Sequence, residues 1–412
     1  MPHDKIKAAI RQRIADSGEP YAEARRQVLA SKNTVLMGPS PSIVFAEPMV
    51  LRDGPLGQVE PTVNFLLEST RPVAAKGRAT INDWYSRFPD PDGKFRDRLR
   101  SPKGTAHEVA QDELFVHERL VGRARISYEE GGKGPDFRLY QGEGYLGAIE
   151  VLSLFMTRDW SDQQNQHGRI ADELNKRLTL DKWFVSFEVT QFDQDPSFNN
   201  LAGWVGRTIS HLPNRPEADD GTYADTFAAK GVELRFTFTR CKPNPTGARD
   251  RIIGPGPVIG GLVTSGERLL VSLEGKAGGR YELRDAPFAL YVGVRDPFCS
   301  VDQLESAIYG HVQYEYEVGG SGEVSRSRAK DGFFGRTPRH PNGKNRRVSC
   351  VFAVSNWVPW NPEKVTVLRF DNPFPDHVFP EDLFPADAHV TRVDRDGPGF
   401  TFDWIPERPS DF

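Results

Sequence analysis

The pattern of hydrophobic and polar positions is most regular between residues 112 and 178. There it predicts a helix, three strands and a longer helix, at residues 112–120, 123–127, 136–140, 145–152 and 162–178. The second and third strands are joined by Gly142-Glu143-Gly144, which is typical of a tight turn. We therefore expect these two strands to be adjacent and antiparallel.

The longer helix has an apolar stripe. Ile170, Leu174 and Leu178 are spaced by four, which places them on one side of a helix. The same side carries Gln163 and His167 nearer the start of the helix. We expect the apolar residues to pack on the sheet and the two polar residues to face it as well.

The rest of the chain continues to alternate between strand-like and helix-like segments. This alternation predicts an α/β (α+β) fold, in which a mixed sheet is flanked by helices. The expected regions are a basic helical hairpin, an extended and helical lead-in, a core and a C-terminal α/β region, at residues 1–32, 33–107, 108–215 and 228–412. Residues 318–347, rich in Gly, Ser and Arg, are predicted to form a mobile loop.

The composition is that of an ordinary globular protein, with 412 residues, of which 27% are charged and 38% hydrophobic. A net charge of −4 gives no general attraction to nucleic acid, so such binding would need a local basic patch. The three cysteines are far apart, which argues against a disulfide framework or a structural zinc site. No run approaches the roughly 20 apolar residues that span a bilayer, so we expect a cytoplasmic protein without a membrane partner.

Three acidic residues occupy positions where they could act in catalysis. Glu113 lies in the first predicted helix, Asp136 follows Pro135 at the start of a strand, and Glu150 lies within an apolar strand. A buried carboxylate is costly unless it is paired or bound to a metal ion. The alternatives are that Asp136 belongs to an ordinary turn and that Glu150 forms a salt bridge, for example with Arg138.

The order of these acids resembles that of the PD-(D/E)xK nuclease family, over about residues 108–190. The core of that family is a helix, a run of antiparallel strands and a helix that returns over the sheet. The resemblance implies that Asp136 and Glu150 bind Mg²⁺ or Mn²⁺, that Glu113 is an auxiliary acid, and that the metal activates water for attack on a phosphodiester. It also implies a role in defence or repair.

One position departs from the family. Its lysine should lie two residues after the second acid, on the same strand face, and that residue is Leu152 here. Gln163 and His167, at the start of the following helix, are the predicted catalytic groups nearest to the acids. Further cations that could replace the lysine are Lys133, Lys176 and Lys182.

The densest basic run lies at residues 325–347. We predict that four arginines of this run contact nucleic acid, namely Arg326, Arg328, Arg346 and Arg347. The interleaved Phe333 and Phe334 could stack on bases. The alternative is a solvated loop without a binding function.

Two functions follow from these residues. The first is a metal-dependent phosphodiesterase that acts on DNA or RNA, with Asp136, Glu150 and Glu113 at its centre. The second is a catalytically inactive module that keeps the fold and binds nucleic acid or protein, and Leu152 favours it. The sequence leaves open whether there is a protein partner or a homo-oligomer.

Overall fold

A computed structural model describes most of the chain. The described residues are 43–46, 52, 56–129, 134–180, 182–212, 222–240, 253–255, 264–278, 281, 285–316, 324–355, 357–394 and 398–404. The predicted basic hairpin at residues 1–32 lies outside them.

The helices and strands follow one another in a mixed order. The described helices are α1 (Thr62–Glu68), α2 (Pro72–Tyr85), α3 (Lys94–Leu99), α4 (Ala106–Leu120), α5 (Arg158–Arg177), α6 (Phe198–His211), α7 (Ser265–Ala277) and α8 (Val301–Tyr309). The described strands are β1 (Arg125–Tyr128), β2 (Phe137–Gln141), β3 (Gly144–Leu154), β4 (Trp183–Phe192), β5 (Thr222–Ala229), β6 (Val232–Arg240), β7 (Ile253–Pro255), β8 (Phe288–Val294), β9 (Val312–Tyr316), β10 (Val324–Arg328), β11 (Cys350–Ser355), β12 (Val367–Asp371), β13 (Ala388–Asp394) and β14 (Pro398–Trp404).

Eight of these strands form the larger sheet, in the order β1-β2-β3-β8-β11-β12-β13-β14. The first three form an antiparallel meander, and β8 and β11 then run parallel to β3. The predicted antiparallel pairing of 136–140 with 145–152 is confirmed, since Phe137 pairs with Ile149 and Gln141 with Gly144. The chain therefore has the predicted mixed sheet flanked by helices.

Helices cover both faces of the larger sheet. On one face Leu114 of α4 lies in a core cluster with Ile149 and Tyr291. On the other face Leu269 of α7 lies in a cluster with Leu290 and residues of α8. The whole of β8 is buried, which explains its unbroken apolar sequence.

A second sheet, in the order β5-β6-β4-β7, is inserted in the chain between β3 and α7. Helix α5 packs on this sheet, with Ile170, Ala171 and Leu174 beside Val185 and Phe187 in one core cluster. The expectation that helix 162–178 packs on the sheet of residues 136–152 is therefore wrong. The stripe was identified correctly, but an apolar stripe specifies the buried side of a helix and not the sheet that covers it.

The insertion also divides the larger sheet along the chain. Its strands come from residues 125–154 and 288–404. The predicted boundary between residues 215 and 228 falls within the inserted part, where β5 begins at Thr222.

The described part of the predicted mobile loop is anchored. Phe333 and Phe334 are fully buried, and their backbone N–H groups each donate a 2.9 Å hydrogen bond to a carbonyl of α8. The side-chain amide of Asn345 donates to the Phe333 carbonyl at 2.8 Å. These two aromatic rings belong to the core, so the prediction that they stack on bases is wrong.

None of the described helices is long and apolar enough to cross a lipid bilayer. Helix α8 begins after Ser300, whose side chain forms a reciprocal capping box with that of Gln303.

Helix α4 contains a buried histidine that couples stability to pH. His117 lies between Phe88 and Phe137, and its Nδ1 has no hydrogen-bond partner. Burial, with the nearby charge of Arg87, lowers its pKa to about 4. The unfolded chain therefore binds more protons than the folded chain between this value and the ordinary histidine pKa, so stability falls as the pH falls through that window.

His117→Phe is expected to reduce this pH dependence. The slope of the unfolding free energy between about pH 4.5 and 6 should fall by roughly 1.4 kcal/mol per pH unit, the linkage of one proton. Urea unfolding at a series of pH values measures it, with the exposed His340→Phe as the matched control. An unchanged slope in His117→Phe would show that His117 is not the linked group.

Candidate active site

Asp136 and Glu150 lie where the pairing of β2 and β3 ends. One residue beyond the Phe137–Ile149 pair, the register places Asp136 opposite Glu150. The Asp136 backbone N–H donates to Glu150 Oε2 at 3.1 Å, and the Val151 N–H donates to Asp136 Oδ2 at 2.7 Å. Each carboxylate thus accepts a bond from the backbone of the opposite strand, which brings the two predicted ligands into one cluster.

A lysine from a distant helix reaches Glu150. The Lys276 ammonium, at the end of α7, donates to Glu150 Oε1 and forms an ion pair with it. The Tyr281 hydroxyl donates to the same oxygen at 2.5 Å. Glu150 is buried, whereas the Lys276 side chain retains 30% of its exposure, so the cluster is open to solvent on this side.

Burial and neighbouring carboxylates together determine the electrostatics of the cluster. Burial, followed by the charges of Glu150 and Glu113, raises the pKa of Asp136 well above its usual range. For Lys276, burial acts to lower the pKa, but the hydrogen bond and charge of Glu150 outweigh it and the pKa is raised. Burial and the bond to Glu150 raise the pKa of Tyr281 to about 12, so its hydroxyl stays a donor at neutral pH. An additional cation would stabilise this cluster.

Glu113 is the third predicted acid, and its helix α4 covers the opposite face of the larger sheet from α7 and Glu150. Its carboxylate accepts hydrogen bonds from the guanidinium of Arg98 and from the Tyr128 hydroxyl. Burial raises the pKa of Glu113 despite these partners. The charge of Glu113 also contributes to the raised pKa of Asp136, but no hydrogen bond between the described residues joins Glu113 to Asp136 or Glu150.

A cleft of about 280 Å³ opens beside Glu113. Arg98 and Tyr128, the two partners of Glu113, line it together with Asp92, Lys94 and Glu129. Both of the cations named here already form ion pairs, Lys94 with Asp92 and Arg98 with Glu113.

Gln163 and His167 lie on the inserted module. Gln163 is exposed on α5, and the half-buried ring of His167 packs edge-on against Phe187 of β4. They do not join the cluster of Glu113, Asp136 and Glu150, because α5 packs on the second sheet.

The other cations considered for the missing lysine have different positions. Lys176 is exposed and pairs with Glu173 at 2.8 Å. Lys182 is exposed at the start of β4, and Lys133 lies outside the described residues. Leu152, at the family's lysine position, contributes to the core on the α7 side of the sheet.

The arginines predicted to bind nucleic acid differ in their exposure and in their partners. Arg328 has a buried side chain that pairs with Glu305, so it is not positioned for a phosphate. Arg346 pairs with Asp376 at 2.8 Å at the surface. Arg347 is exposed and donates to the Tyr281 carbonyl at 3.3 Å. The side chain of Arg326 lies outside the described structure.

Sequence reasoning missed Lys276 and Tyr281. They lie 126 and 131 residues after Glu150 in the chain, and no local spacing connects them with it. Lys276 lies at the end of α7, and the strand β8 follows it in the chain. The missing information was that this strand, β8, pairs with β3.

The described residues contain no group of three or more His, Cys, Asp or Glu side chains arranged to hold a metal ion. Asp136 and Glu150 therefore offer a metal ion two protein carboxylates, without a third ligand of these types from the described residues. No protein-family model, curated protein or solved structure matches the chain. The argument for its function rests on the geometry of this cluster.

Proposed function

We propose that the chain is a metal-dependent phosphodiesterase that acts on DNA or RNA, with its active site at Asp136, Glu150 and Lys276. The observation that carries this proposal is the contact of Lys276 with Glu150. Leu152 replaces the lysine of the PD-(D/E)xK pattern, and Lys276 supplies a cation to the same carboxylate from α7.

The topology gives further support to the resemblance. Helix α4 precedes the antiparallel meander β1–β3, and α7 leads into β8, which is parallel to β3. The proposed returning helix is thus α7, and the module that contains α5 and the second sheet is an insertion before it. Lys276 then lies on the helix that passes over the face carrying Glu150.

The donor atoms fit a hard divalent cation. Asp136 Oδ1 makes no hydrogen bond to the described residues, and Glu150 Oε2 accepts only the Asp136 N–H. Mg²⁺ commonly takes one or two protein carboxylates and completes its shell with water and phosphate oxygens. Asp136 and Glu150 would hold the ion, which when bound activates water and neutralises phosphate charge.

The remaining side chains have positioning and electrostatic roles. Lys276 holds a positive charge at the open side of the cluster, where it would stabilise the charge on a phosphoryl group. Tyr281 fixes the orientation of the Glu150 carboxylate through its hydroxyl. Arg98 and Tyr128 hold both oxygens of Glu113, so an auxiliary role of this acid would be electrostatic, through its charge on Asp136.

A second function is favoured by one specific observation. Both oxygens of Glu150 already have partners in Lys276, Tyr281 and the Asp136 N–H, so this buried carboxylate is satisfied without a metal ion. A catalytically inactive binding module that retains the fold has the same geometry. Metal binding and cleavage separate the two functions.

The test is to combine thermal melts with a cleavage assay. Mg²⁺ or Mn²⁺ should raise the melting midpoint of the wild type. At a metal concentration a hundred times its Kd, the folded state should gain about 2.7 kcal/mol of stability. Labelled DNA or RNA should be cleaved with the metal and left intact with EDTA. Asp136→Asn is the matched variant, since it relieves carboxylate repulsion without metal and should not respond to metal. A wild type that is unmoved by both metals and cleaves neither nucleic acid would leave only the binding module.

A further inference from the structure

The two sides of the acid cluster differ in charge. On the Arg98 side, the cleft contains Asp92 and Glu129, and its cations Lys94 and Arg98 are matched by carboxylates. Among the described residues that line this cleft, no cation is left uncompensated for a phosphate. A polyanion would be repelled from it.

The Tyr281 side carries positive charge instead. Arg347 donates to the backbone carbonyl of Tyr281, whose hydroxyl reaches Glu150. Arg347, Arg339 and Lys344 belong to one stretch, residues 336–347, which we call the basic segment. Arg339 and Arg347 are exposed, and none of these three cations forms an ion pair within the described part of the chain.

The basic segment is held in place by the fold. The Lys344 N–H donates to the Gly335 carbonyl at 3.0 Å, and the Val348 N–H to the Asn345 carbonyl at 2.9 Å. The Asn372 side chain donates to the carbonyls of Asn345 and Val348. The backbone that carries Lys344 and Arg347 is therefore fixed, which reduces the entropy lost when these residues bind a partner.

We infer that the phosphate backbone of a nucleic acid enters the active site from the Tyr281 side, along the basic segment, with Arg339, Lys344 and Arg347 as its phosphate contacts. This inference rests on the proposed function for the identity of the polyanion. It assigns the direction of approach, which the acids alone do not define. Tyr281 contacts both Arg347 and Glu150, which links the basic segment to the active site.

The test measures binding in EDTA, where cleavage is absent, with short labelled duplex and single-stranded oligonucleotides over a range of salt. Replacing Arg339, Lys344 and Arg347 together by Ala should weaken binding. The magnitude of the salt slope should fall by about 2.7 on duplex DNA or about 2.1 on a single strand, for three lost phosphate contacts. Arg339→Ala with Lys344→Ala alone leaves the Arg347–Tyr281 contact intact, and should lower the duplex slope by about 1.8.

The matched control removes Lys182, Arg207 and Arg235, three exposed cations of the inserted module. Its salt slope should equal that of the wild type. An equal fall in control and test variants, or no fall in either, would overturn the inference while metal-dependent cleavage by the wild type still supported the proposed function. Conversely, a selective loss of binding in a chain that never cleaves would support this surface and reject the phosphodiesterase.

Discussion

Asp112→Ala is expected to lower the free energy of unfolding by about 3–5 kcal/mol, because it breaks a buried ion pair. Asp112 is fully buried and accepts a 2.6 Å bond from Arg295 Nη2. It also accepts a 2.7 Å bond from the Trp357 indole and a 2.5 Å bond from the Ser153 hydroxyl. Removing the carboxylate leaves the Arg295 charge uncompensated and the indole donor without its acceptor.

Urea unfolding measures this loss, and Asp83→Ala is the matched control. Asp83 also pairs with an arginine, Arg87, but it is 63% exposed, so its loss should cost less than about 1 kcal/mol. If Asp112→Ala lowered the free energy of unfolding by no more than Asp83→Ala, the buried pair would contribute no more than a surface pair.

Gly293 provides an independent check on the same contact. A Cβ at Gly293 would lie 2.0 Å from Asp112 Oδ2, so Gly293→Ala must displace the carboxylate. The double variant Asp112→Ala/Gly293→Ala should therefore cost less than the sum of the single variants. Simple additivity would mean that the two positions do not compete for the same space.

The local part of the fold was predictable because it depends on short-range patterns. The strands of 136–140 and 145–152 flank a Gly-rich turn, and both the turn and the strand patterns act over a few residues. Side chains alternate between the two faces of a strand, so Glu150 and Leu152 share a face. The turn alone would place Asp136 opposite Ile149. A β-bulge between Leu139 and Tyr140 shifts the register by one residue and brings Asp136 opposite Glu150, and no short pattern predicted this bulge.

The partners of these elements were less predictable. The stripe of Ile170 and Leu174 fits any apolar surface, and the chain offers two sheets. Helix α4 begins at Ala106, six residues before the predicted start, and Thr105 makes no side-chain capping bond that would mark it. Tertiary packing determines which sheet a helix covers and where the helix begins, and a short stretch of sequence does not specify that packing.

The cation of the candidate site shows the same limit. A lysine two residues after Glu150 would have been visible in the sequence, whereas Lys276 becomes its neighbour only through the parallel pairing of β3 and β8. The three acids could be named from the sequence because they lie within one short stretch, in α4, at the start of β2 and in β3. The sequence thus identified the carboxylates of the cluster but not the lysine.

Lys276→Met is expected to lower the rate of metal-dependent cleavage by about 100-fold or more, the usual loss when one group that stabilises transition-state charge is removed. The methionine keeps much of the packing of the lysine stem but donates no hydrogen bond to Glu150. Stability should fall as well, by less than the 3–5 kcal/mol of a fully buried pair, because Lys276 retains 30% of its exposure.

Two companion variants separate catalysis from folding. Lys276→Met/Glu150→Gln replaces the whole ion pair with neutral groups, so its stability should recover toward that of the wild type while cleavage stays absent. Lys176→Met is the matched control, because Lys176 also pairs with a glutamate but is 67% exposed on the inserted module. It should cleave at the wild-type rate.

Restoring a lysine at the family's position tests whether Lys276 acts through Glu150. Leu152 lies on the same strand face as Glu150, so Lys276→Met/Leu152→Lys should regain part of the lost cleavage. Burying a lysine lowers the melting temperature of this variant, so its cleavage is measured below that temperature. Cleavage by Lys276→Met at the wild-type rate would exclude Lys276 from the active site. Recovery in the double variant, with Lys176→Met unaffected, would identify a positive charge beside Glu150 as the requirement for cleavage, whichever element supplies it.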